Sequence, residues 1–430
     1  MIGYSRGTLG INLQPHSMLR PLPGKSSAPS TVLKSVFSAL VTGRKSAREL
    51  EKHQSDIIAH IGYGHQLSRW TIGERLDEER VVALLQKLSD NLFMIAARNL
   101  RILKPATSCH GIVALVDGID LGQVHAGDGE CELCLKRWVN GEVRLYHRAV
   151  VISVMSKRGP MPLFLRMCRP REAVLDPLKV SDTRFKSDCE LSCAKELLID
   201  IAGRFGGRLP FDVIASDALM ANAPFMELVE FLGSAGIFIF KQENRKLYCE
   251  AKADFTGNSL GFDVQQEAWN KDPSLKGRTF HAQWGRYVDH NRKGEDKNVK
   301  IFEVTRTEVN GNKARSMAIT SDKSFITPRL VEEVRYAKWA SLENGVFNEL
   351  TNIWGTLKHL FFHKANALQS MLYLQFLALI AYRCYCYGNL KRGGRCWTGT
   401  VRDFHRHMTI SFFSCRRATL IEALANSPPR

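Results

Sequence analysis

Two aspartates occupy positions where carboxylates in α/β proteins can bind metal ions. Asp117 follows the apolar run 111–116, and Asp217 follows the apolar run 211–215 after one serine. Each run is predicted to be a strand, which places each carboxylate at a strand end. Side chains at the carboxyl ends of strands face the crevice where such sheets bind ligands. Two carboxylates from neighbouring strands can together hold a pair of Mg²⁺ ions about 4 Å apart.

Glu343 is the candidate for a third metal ligand, because it lies on a predicted amphipathic helix later in the chain. Taken singly, each acid also has an ordinary interpretation: an Asp-Gly turn, a helix N-cap or a solvated helix surface. Nearby acids offer alternatives to these three, namely Asp120, Asp212 and Glu349.

Cys131 and Cys134 form a CxxC motif, which occurs as half of a zinc site and as a redox pair. No second CxxC follows at zinc-finger spacing, so two ordinary thiols beside a hairpin remain the default interpretation. Further ligands could come from Cys109, His110, His125, Cys189 and Cys193. Zinc therefore stays an open alternative at this motif.

Several cations are suited to contact phosphates. Lys241 follows the predicted strand 236–240, and Arg245 comes soon after it. His359 and His363 share one helix face at a spacing of four residues, with Lys358 and Lys364 beside them. That neighbourhood favours phosphate contact over metal binding.

The composition points to a polyanionic partner. Among 430 residues, 60 Lys and Arg stand against 43 Asp and Glu, a formal net charge of +17. The ends are the most basic: residues 1–50 hold 7 Lys/Arg and 1 acid, and residues 351–430 hold 11 and 2. Such a balance favours a nucleic acid or an anionic surface.

No secretory signal is recognised, so the 11 cysteines are expected to be reduced thiols. The apolar stretch Ala365–Tyr382 contains Asn366, Gln369 and Gln375, and it is short for a membrane span. We interpret it as a buried helix and expect no membrane partner.

Periodicity divides the chain into four segments. Residues 1–30 are predicted to form a basic flexible arm, and residues 31–105 a helical domain that could bind DNA. Residues 106–385 alternate strands and helices, with a β-rich insertion at about 241–329, which indicates an α/β domain. Residues 386–430 form a basic tail. Asn140-Gly141 predicts a hairpin turn, and Gly43 predicts a helix stop.

Three blocks around the acids resemble bacterial insertion-sequence transposases of the DDE type. They are VALVDGIDLG at Asp117, FDVIASDALMANAPFMELVEFLG at Asp217, and SLENGVFNELTNIWGTLKHLFFHKANA at Glu343. Three such blocks in this order are specific for these transposases, and the similarity covers residues from about 111 to 382. The chain most resembles the branch with a β-rich insertion between the second Asp and the Glu.

The resemblance implies a ribonuclease H-like catalytic core in which Asp117, Asp217 and Glu343 hold two Mg²⁺ or Mn²⁺ ions. It implies metal-dependent cleavage at element ends and strand transfer into target DNA, with terminal inverted repeats and target DNA as partners. A dimer or higher oligomer on DNA is expected, in a bacterial cytoplasm and on the nucleoid when DNA is bound.

The blocks also depart from the resembled pattern around Glu343. Before Glu343 the chain has Arg335, Tyr336 and Lys338, but Trp339 stands where an Arg is expected. After Glu343 the resembled pattern has a Lys at a fixed spacing, whereas the nearest later cation here is Lys358. Two alternatives therefore stay open beside an active transposase. One is a catalytically inactive DNA-binding relic, and the other is a zinc-stabilised regulatory DNA-binding protein.

Overall fold

A mixed β-sheet with packed helices organises the chain. The computed structural model describes residues 29–51, 67–98, 111–123, 131–140, 142–156, 159–170, 182–241, 245–257, 263–268, 278–290, 296–337, 346–357, 362, 364–388 and 400–414. Within these residues, ten strands join into one sheet.

Five strands form the central part of the sheet, in the order β4-β3-β1-β5-β6. They are β1 (Val113–Gln123), β3 (Glu142–Val154), β4 (Met161–Met167), β5 (Val213–Ser216) and β6 (Ala235–Ile239). β3 runs antiparallel to β1 and β4, whereas β1, β5 and β6 are parallel. This order and these directions are those of the ribonuclease H-like fold, which confirms the predicted fold class.

A hairpin extends this central part, as predicted. β2 (Leu135–Val139) pairs antiparallel with the start of β3. Asn140 in the turn has a φ of 54°, a left-handed conformation that asparagine tolerates better than most residues.

The β-rich segment continues the same sheet. Its strands are β7 (Asp263–Ala268), β8 (Thr279–His290), β9 (Asp296–Thr307) and β10 (Lys313–Ser321). β10 pairs antiparallel with β6 through Ile319 and Phe238, so the segment joins the central strands by hydrogen bonds. The second half of β10 is buried where it meets β6, and its first half is more exposed. The residues of β10 are therefore buried mainly where the strand has β6 as a neighbour.

Nine α-helices of eight residues or more lie among the described residues. They are α1 (Pro29–Val41), α2 (Arg69–Leu76), α3 (Glu79–Arg98), α4 (Asp182–Arg204), α5 (Ala223–Phe231), α6 (Lys246–Thr256), α7 (Pro328–Ala337), α8 (Ala365–Gly388) and α9 (Val401–Ser414). α6 lies in the stretch interpreted as irregular and β-rich, so that interpretation is wrong there. α1 ends as predicted, with Gly43 at a φ of 85° just beyond it.

α8 is the buried helix predicted from the apolar stretch, and it contacts α1, α2, α3 and β4. Two of its side-chain amides donate hydrogen bonds to backbone carbonyls of neighbouring segments. Asn366 donates to the carbonyl of Asp77, and Gln375 donates to that of Thr356. Among the described residues, no helix combines the length and apolarity needed to cross a bilayer.

An aromatic cluster joins the helical segment to the sheet. Phe93 of α3 packs against Phe164 of β4, with Phe205 and Phe211 completing the group at centroid distances of 5.5 to 6.3 Å. Phe93 and Phe164 are each 1% exposed. The α3 helix and the central strands therefore share one core.

Candidate metal centre

Asp117 lies in the middle of β1 and not past a strand end, so that part of the prediction is wrong. β1 pairs in parallel with β5 only through Val113–Leu115, but it continues alongside β3 to Gln123. The residues after Asp117 look less apolar because they leave the parallel part of the sheet. The carboxylate is therefore positioned where β5 ends beside β1, although its own strand goes on.

Asp217 follows β5 directly, as predicted. Its Oδ1 accepts a hydrogen bond from the backbone N–H of Leu219 at 3.1 Å and caps the short 3₁₀ helix Ala218–Met220. The helix N-cap interpretation is thus also correct. A capping carboxylate keeps a second oxygen, and the cap fixes its direction.

Glu190 of α4 is the acid that the structure brings to these two aspartates. One carboxylate oxygen from each of Asp117, Glu190 and Asp217 lies within 4.8 Å of the others. Glu190 is 3% exposed and Asp117 is 7% exposed, so neither charge is well hydrated.

Close approach at this point depends on Gly118. A Cβ on Gly118 would lie 2.5 Å from Arg148 Nη2 and 2.6 Å from Glu190 Cδ. Only glycine at this position leaves room for the ion pair between Arg148 and Glu190 beside β1. Gly118 therefore has a packing role within β1, and the interpretation of Asp117-Gly118 as a turn is wrong.

Arg148 of β3 compensates part of the negative charge. Its guanidinium forms ion pairs with Glu190 and with Asp120. Burial by itself would lower the pKa of Arg148, but the two carboxylates outweigh burial and raise it. Arg148 therefore remains a fixed cation beside the three acids.

All-oxygen donors at this spacing suit a hard divalent cation. Two unit charges 4.8 Å apart repel by about 3 kcal/mol at an effective dielectric constant of about 20. Three carboxylates and one arginine leave a net negative centre, which favours a bound cation. Carboxylate oxygens are the ligands that Mg²⁺ and Mn²⁺ prefer.

Two of the residues predicted to contact phosphates lie near the edge of the sheet where β5 ends at Asp217. Arg335 of α7 lines a small groove together with Ser216, the neighbour of Asp217. Its guanidinium is also paired with Glu332. Lys241 is exposed and follows β6, whose parallel pairing with β5 brings both strand ends to one edge. Arg245 differs from the prediction, because its guanidinium pairs with the buried carboxylate of Asp289 inside the protein.

The alternative acids have structural partners. Asp120 pairs with Arg148, and Glu349 pairs with Arg383 at 3.1 Å. Asp212 accepts a hydrogen bond from the backbone N–H of Ile112. None of these three belongs to the acidic cluster among the described residues.

The CxxC motif lies in a second cluster, which also includes His147 of β3. Cys131, Cys134 and His147 place two sulfurs and one imidazole nitrogen within 4.8 Å of one another. Cys193, one of the further ligands suggested by sequence, instead donates a hydrogen bond to the carbonyl of Arg166.

The remaining predicted site residues lie outside the described residues. They are Glu343, Lys338, Lys358, His359 and His363, together with Cys109, His110 and His125.

The sequence analysis did not identify Glu190, Arg148 or His147, because their local sequence distinguishes them only weakly. Glu190 is one acid in a mixed helix, and the other two are single polar residues in a strand rich in valine and arginine. The one usable signal was the polar residue pair His147-Arg148 next to the buried apolar end of β3.

Comparison with known proteins gives distant similarity to solved structures only. No protein-family model and no curated protein matches the chain. Among solved structures, the chain is similar to a piggyBac transposase in a synaptic complex with hairpin DNA, determined by cryo-EM. The TM-score is 0.42 and the identity 12%, over 100% of this chain and 79% of that chain. At these values the similarity carries no information about the activity of this chain.

Proposed function

We propose that this protein is a DNA transposase of the DDE type, which cleaves DNA at element ends and joins them to target DNA. The observation that carries the proposal is the cluster of Asp117, Glu190 and Asp217 on a ribonuclease H-like sheet. The three sequence blocks around Asp117, Asp217 and Glu343 support the same activity.

Asp117 and Asp217 would hold the metal, with Glu190 beside them and Glu343 as the ligand implied by resemblance. The donor set fits Mg²⁺ or Mn²⁺, since it consists of carboxylate oxygens close enough to share a cation. Bound divalent metal ions supply activation of a water or a DNA 3′-hydroxyl and stabilisation of the leaving oxygen.

The chain's own cations would bind and orient the DNA. Lys241 and Arg335 lie toward the edge of the sheet that carries Asp217, where a phosphate would approach the carboxylates. The net charge of +17 supports contact with a long polyanion. Lys338, Lys358, His359 and His363 are proposed as further phosphate contacts, and a DNA-bound dimer as the working assembly.

A cleavage assay tests the proposal. Purified protein is incubated with Mn²⁺ and DNA that carries both flanks of its coding sequence, and nicked products are mapped. The wild type is expected to cut at the element ends, and Asp117→Asn and Asp217→Asn are expected to lose at least about 100-fold in rate. Asp296→Asn, the same change at an exposed acid of β9, is expected to cut normally. Intact cleavage by Asp217→Asn would disprove the proposal.

The role of the third acid is tested separately. Glu343→Gln is expected to abolish cleavage at all Mn²⁺ concentrations, whereas Glu190→Gln is expected to raise the Mn²⁺ concentration needed. DNA binding by the wild type without cleavage in any metal would instead identify the inactive DNA-binding relative.

A further inference from the structure

The CxxC cluster carries a second inference, independent of the proposed transposase activity. We propose that Cys131, Cys134 and His147 supply three ligands of a structural zinc site that fixes the β2–β3 hairpin to the central sheet. The sequence motif alone leaves zinc, a redox pair and ordinary thiols open. His147 was not among the ligands that the sequence suggested.

The three donor atoms form a compact triangle. Cys131 Sγ lies 3.0 Å from His147 Nε2, Cys134 Sγ lies 3.5 Å from the same nitrogen, and the two sulfurs are 3.5 Å apart. Zinc–sulfur bonds of about 2.3 Å and zinc–nitrogen bonds of about 2.0 Å require ligand separations of roughly 3.5 to 3.8 Å at tetrahedral angles. Small movements of side chains would therefore admit an ion.

The backbone around the cysteines is already arranged for sulfur ligands. Cys131 donates its backbone N–H to Cys134 Sγ at 3.2 Å, and Cys134 donates its N–H to the carbonyl of Cys131 at 3.0 Å. The turn thus points both sulfurs to one side. An N–H donor to sulfur favours the thiolate form, which is the form that binds metal.

The chemistry of the cluster favours zinc over the alternatives. Two sulfurs and one imidazole are soft and borderline donors, which suit Zn²⁺ and not Mg²⁺. A disulfide would give no reason for an imidazole to contact both sulfurs from a fully buried position.

The position of the cluster explains what zinc would do. Cys131 and Cys134 precede β2, whereas His147 lies within β3 and pairs with Leu121 of β1. β2 has only five residues, and among the described strands it pairs only with β3. A metal bond from the start of β2 to the middle of β3 would hold this short edge strand in register.

Metal analysis of the purified full chain is the first test. After expression with added zinc and desalting, the wild type is expected to retain about one zinc per chain. Cys134→Ser and His147→Ala are expected to retain only background zinc. Cys249→Ser, a change at an exposed cysteine, and Asp217→Asn, a change at the acidic cluster, are expected to retain it fully. This pattern would separate the zinc site from the proposed catalytic centre.

Cobalt spectroscopy keeps the proposal testable even where a variant folds poorly. Co²⁺ added to metal-free wild type is expected to give thiolate charge-transfer absorption, and Zn²⁺ is expected to remove it. His147→Cys keeps three soft donors and is expected to bind Co²⁺ with stronger thiolate absorption. A folded wild type that binds neither zinc nor Co²⁺, or that contains a Cys131–Cys134 disulfide after anaerobic purification, would overturn the proposal.

Discussion

The ion pair between Arg148 and Glu190 gives the sharpest test of the acidic cluster. In the folded protein the Arg148 side chain is 10% exposed and that of Glu190 is 3% exposed. Arg148→Met would keep the packing volume but remove the guanidinium. Glu190 would then hold a buried charge close to Asp117 and Asp217 without its arginine.

The expected cost can be worked from this arrangement. Removing one partner of a buried ion pair destabilises a protein by about 3 to 5 kcal/mol, because an uncompensated charge stays buried. The second pair of Arg148 adds less, since the Asp120 side chain is 36% exposed and exposed pairs contribute at most about 1 kcal/mol. We therefore expect Arg148→Met to lower the free energy of unfolding by about 4 kcal/mol without metal.

Glu190→Gln in the same chain should reverse most of this loss. The double variant lacks both members of the buried ion pair, so we expect it to be about 1 to 2 kcal/mol less stable than wild type. Glu190→Gln would then restore about 2 to 3 kcal/mol of the stability that Arg148→Met loses, and a recovery of this kind shows that the two substitutions are coupled. Independent effects would instead add, and the double variant would be the least stable protein.

Urea unfolding followed by circular dichroism measures these differences, first in EDTA and then in Mn²⁺. A divalent cation at the carboxylates would replace the missing guanidinium, so Mn²⁺ should stabilise Arg148→Met more than wild type. Arg166→Met is the control, because Arg166 pairs with Glu196 at the surface and should change stability by less than about 1 kcal/mol. A cost below about 1 kcal/mol for Arg148→Met, or no recovery by Glu190→Gln, would refute the reasoning.

Three further substitutions test the site and the core. Gly118→Ala would push a Cβ into Arg148 and Glu190, and we expect about 1 to 3 kcal/mol of lost stability and a higher Mn²⁺ requirement in the cleavage assay. Burial lowers the pKa of His405 from 6.5 to about 4, so the unfolded chain binds the proton more tightly. The free energy of unfolding should therefore fall by about 3 kcal/mol as pH drops from 6.5 to 4, and His405→Phe should flatten that dependence in urea titrations. Phe164→Ala should cost about 3 to 5 kcal/mol by the same measurement, because its ring is fully buried.

The glycine and phenylalanine substitutions each have a matched comparison. Gly203→Ala adds a Cβ to α4 where no atom lies within 4 Å, and it should leave stability unchanged or slightly higher. Phe231→Ala removes a ring that is 85% exposed and should change stability by less than about 0.5 kcal/mol. Equal losses in a substitution and its comparison would contradict the burial argument. For His405, an unchanged pH dependence in His405→Phe would assign the effect to other groups.

The sequence predicted correctly those elements that depend on residues close together in the chain. The hairpin at Asn140 and the strand before Asp217 were predicted because turn chemistry and apolar runs are readable in a few residues. The burial of α8 was predicted because its three amides were too polar for a span in lipid. In each case the information lies within about twenty neighbouring residues.

Pairing between distant strands was not readable in the same way. The end of β1 was placed too early, because β1 continues in a stretch whose partner, β3, lies some thirty residues away. The strands of the β-rich segment were partly predicted, but their union with the central sheet depends on the pairing of β10 with β6. That pairing joins segments separated by about eighty residues, and no local period encodes it.

The acids of the site differ in the same way, because two of them were identified from local sequence and one is brought in by packing. Asp117 and Asp217 were found because each follows an apolar run, whereas Glu190 lies inside a helix with no such mark. Its importance arises only after α4 packs near β1 and Gly118 leaves room for its carboxylate. A sequence pattern identifies acids on strands more readily than an acid brought in by packing.

β3 connects the two proposed metal centres through two adjacent residues. His147 contacts the cysteines, and Arg148 pairs with Glu190, because neighbouring side chains on a strand point to opposite faces. A slip of one residue would exchange these faces and remove both residues from their partners. The register is held by long pairing with β1, in which Val151 lies opposite Asp117 and His147 opposite Leu121. A zinc bond at His147 would add a fixed point to that register only one residue from the arginine that balances the acidic cluster. We therefore expect the proposed zinc site to support the proposed catalytic centre through the backbone of β3, without direct contact between the two.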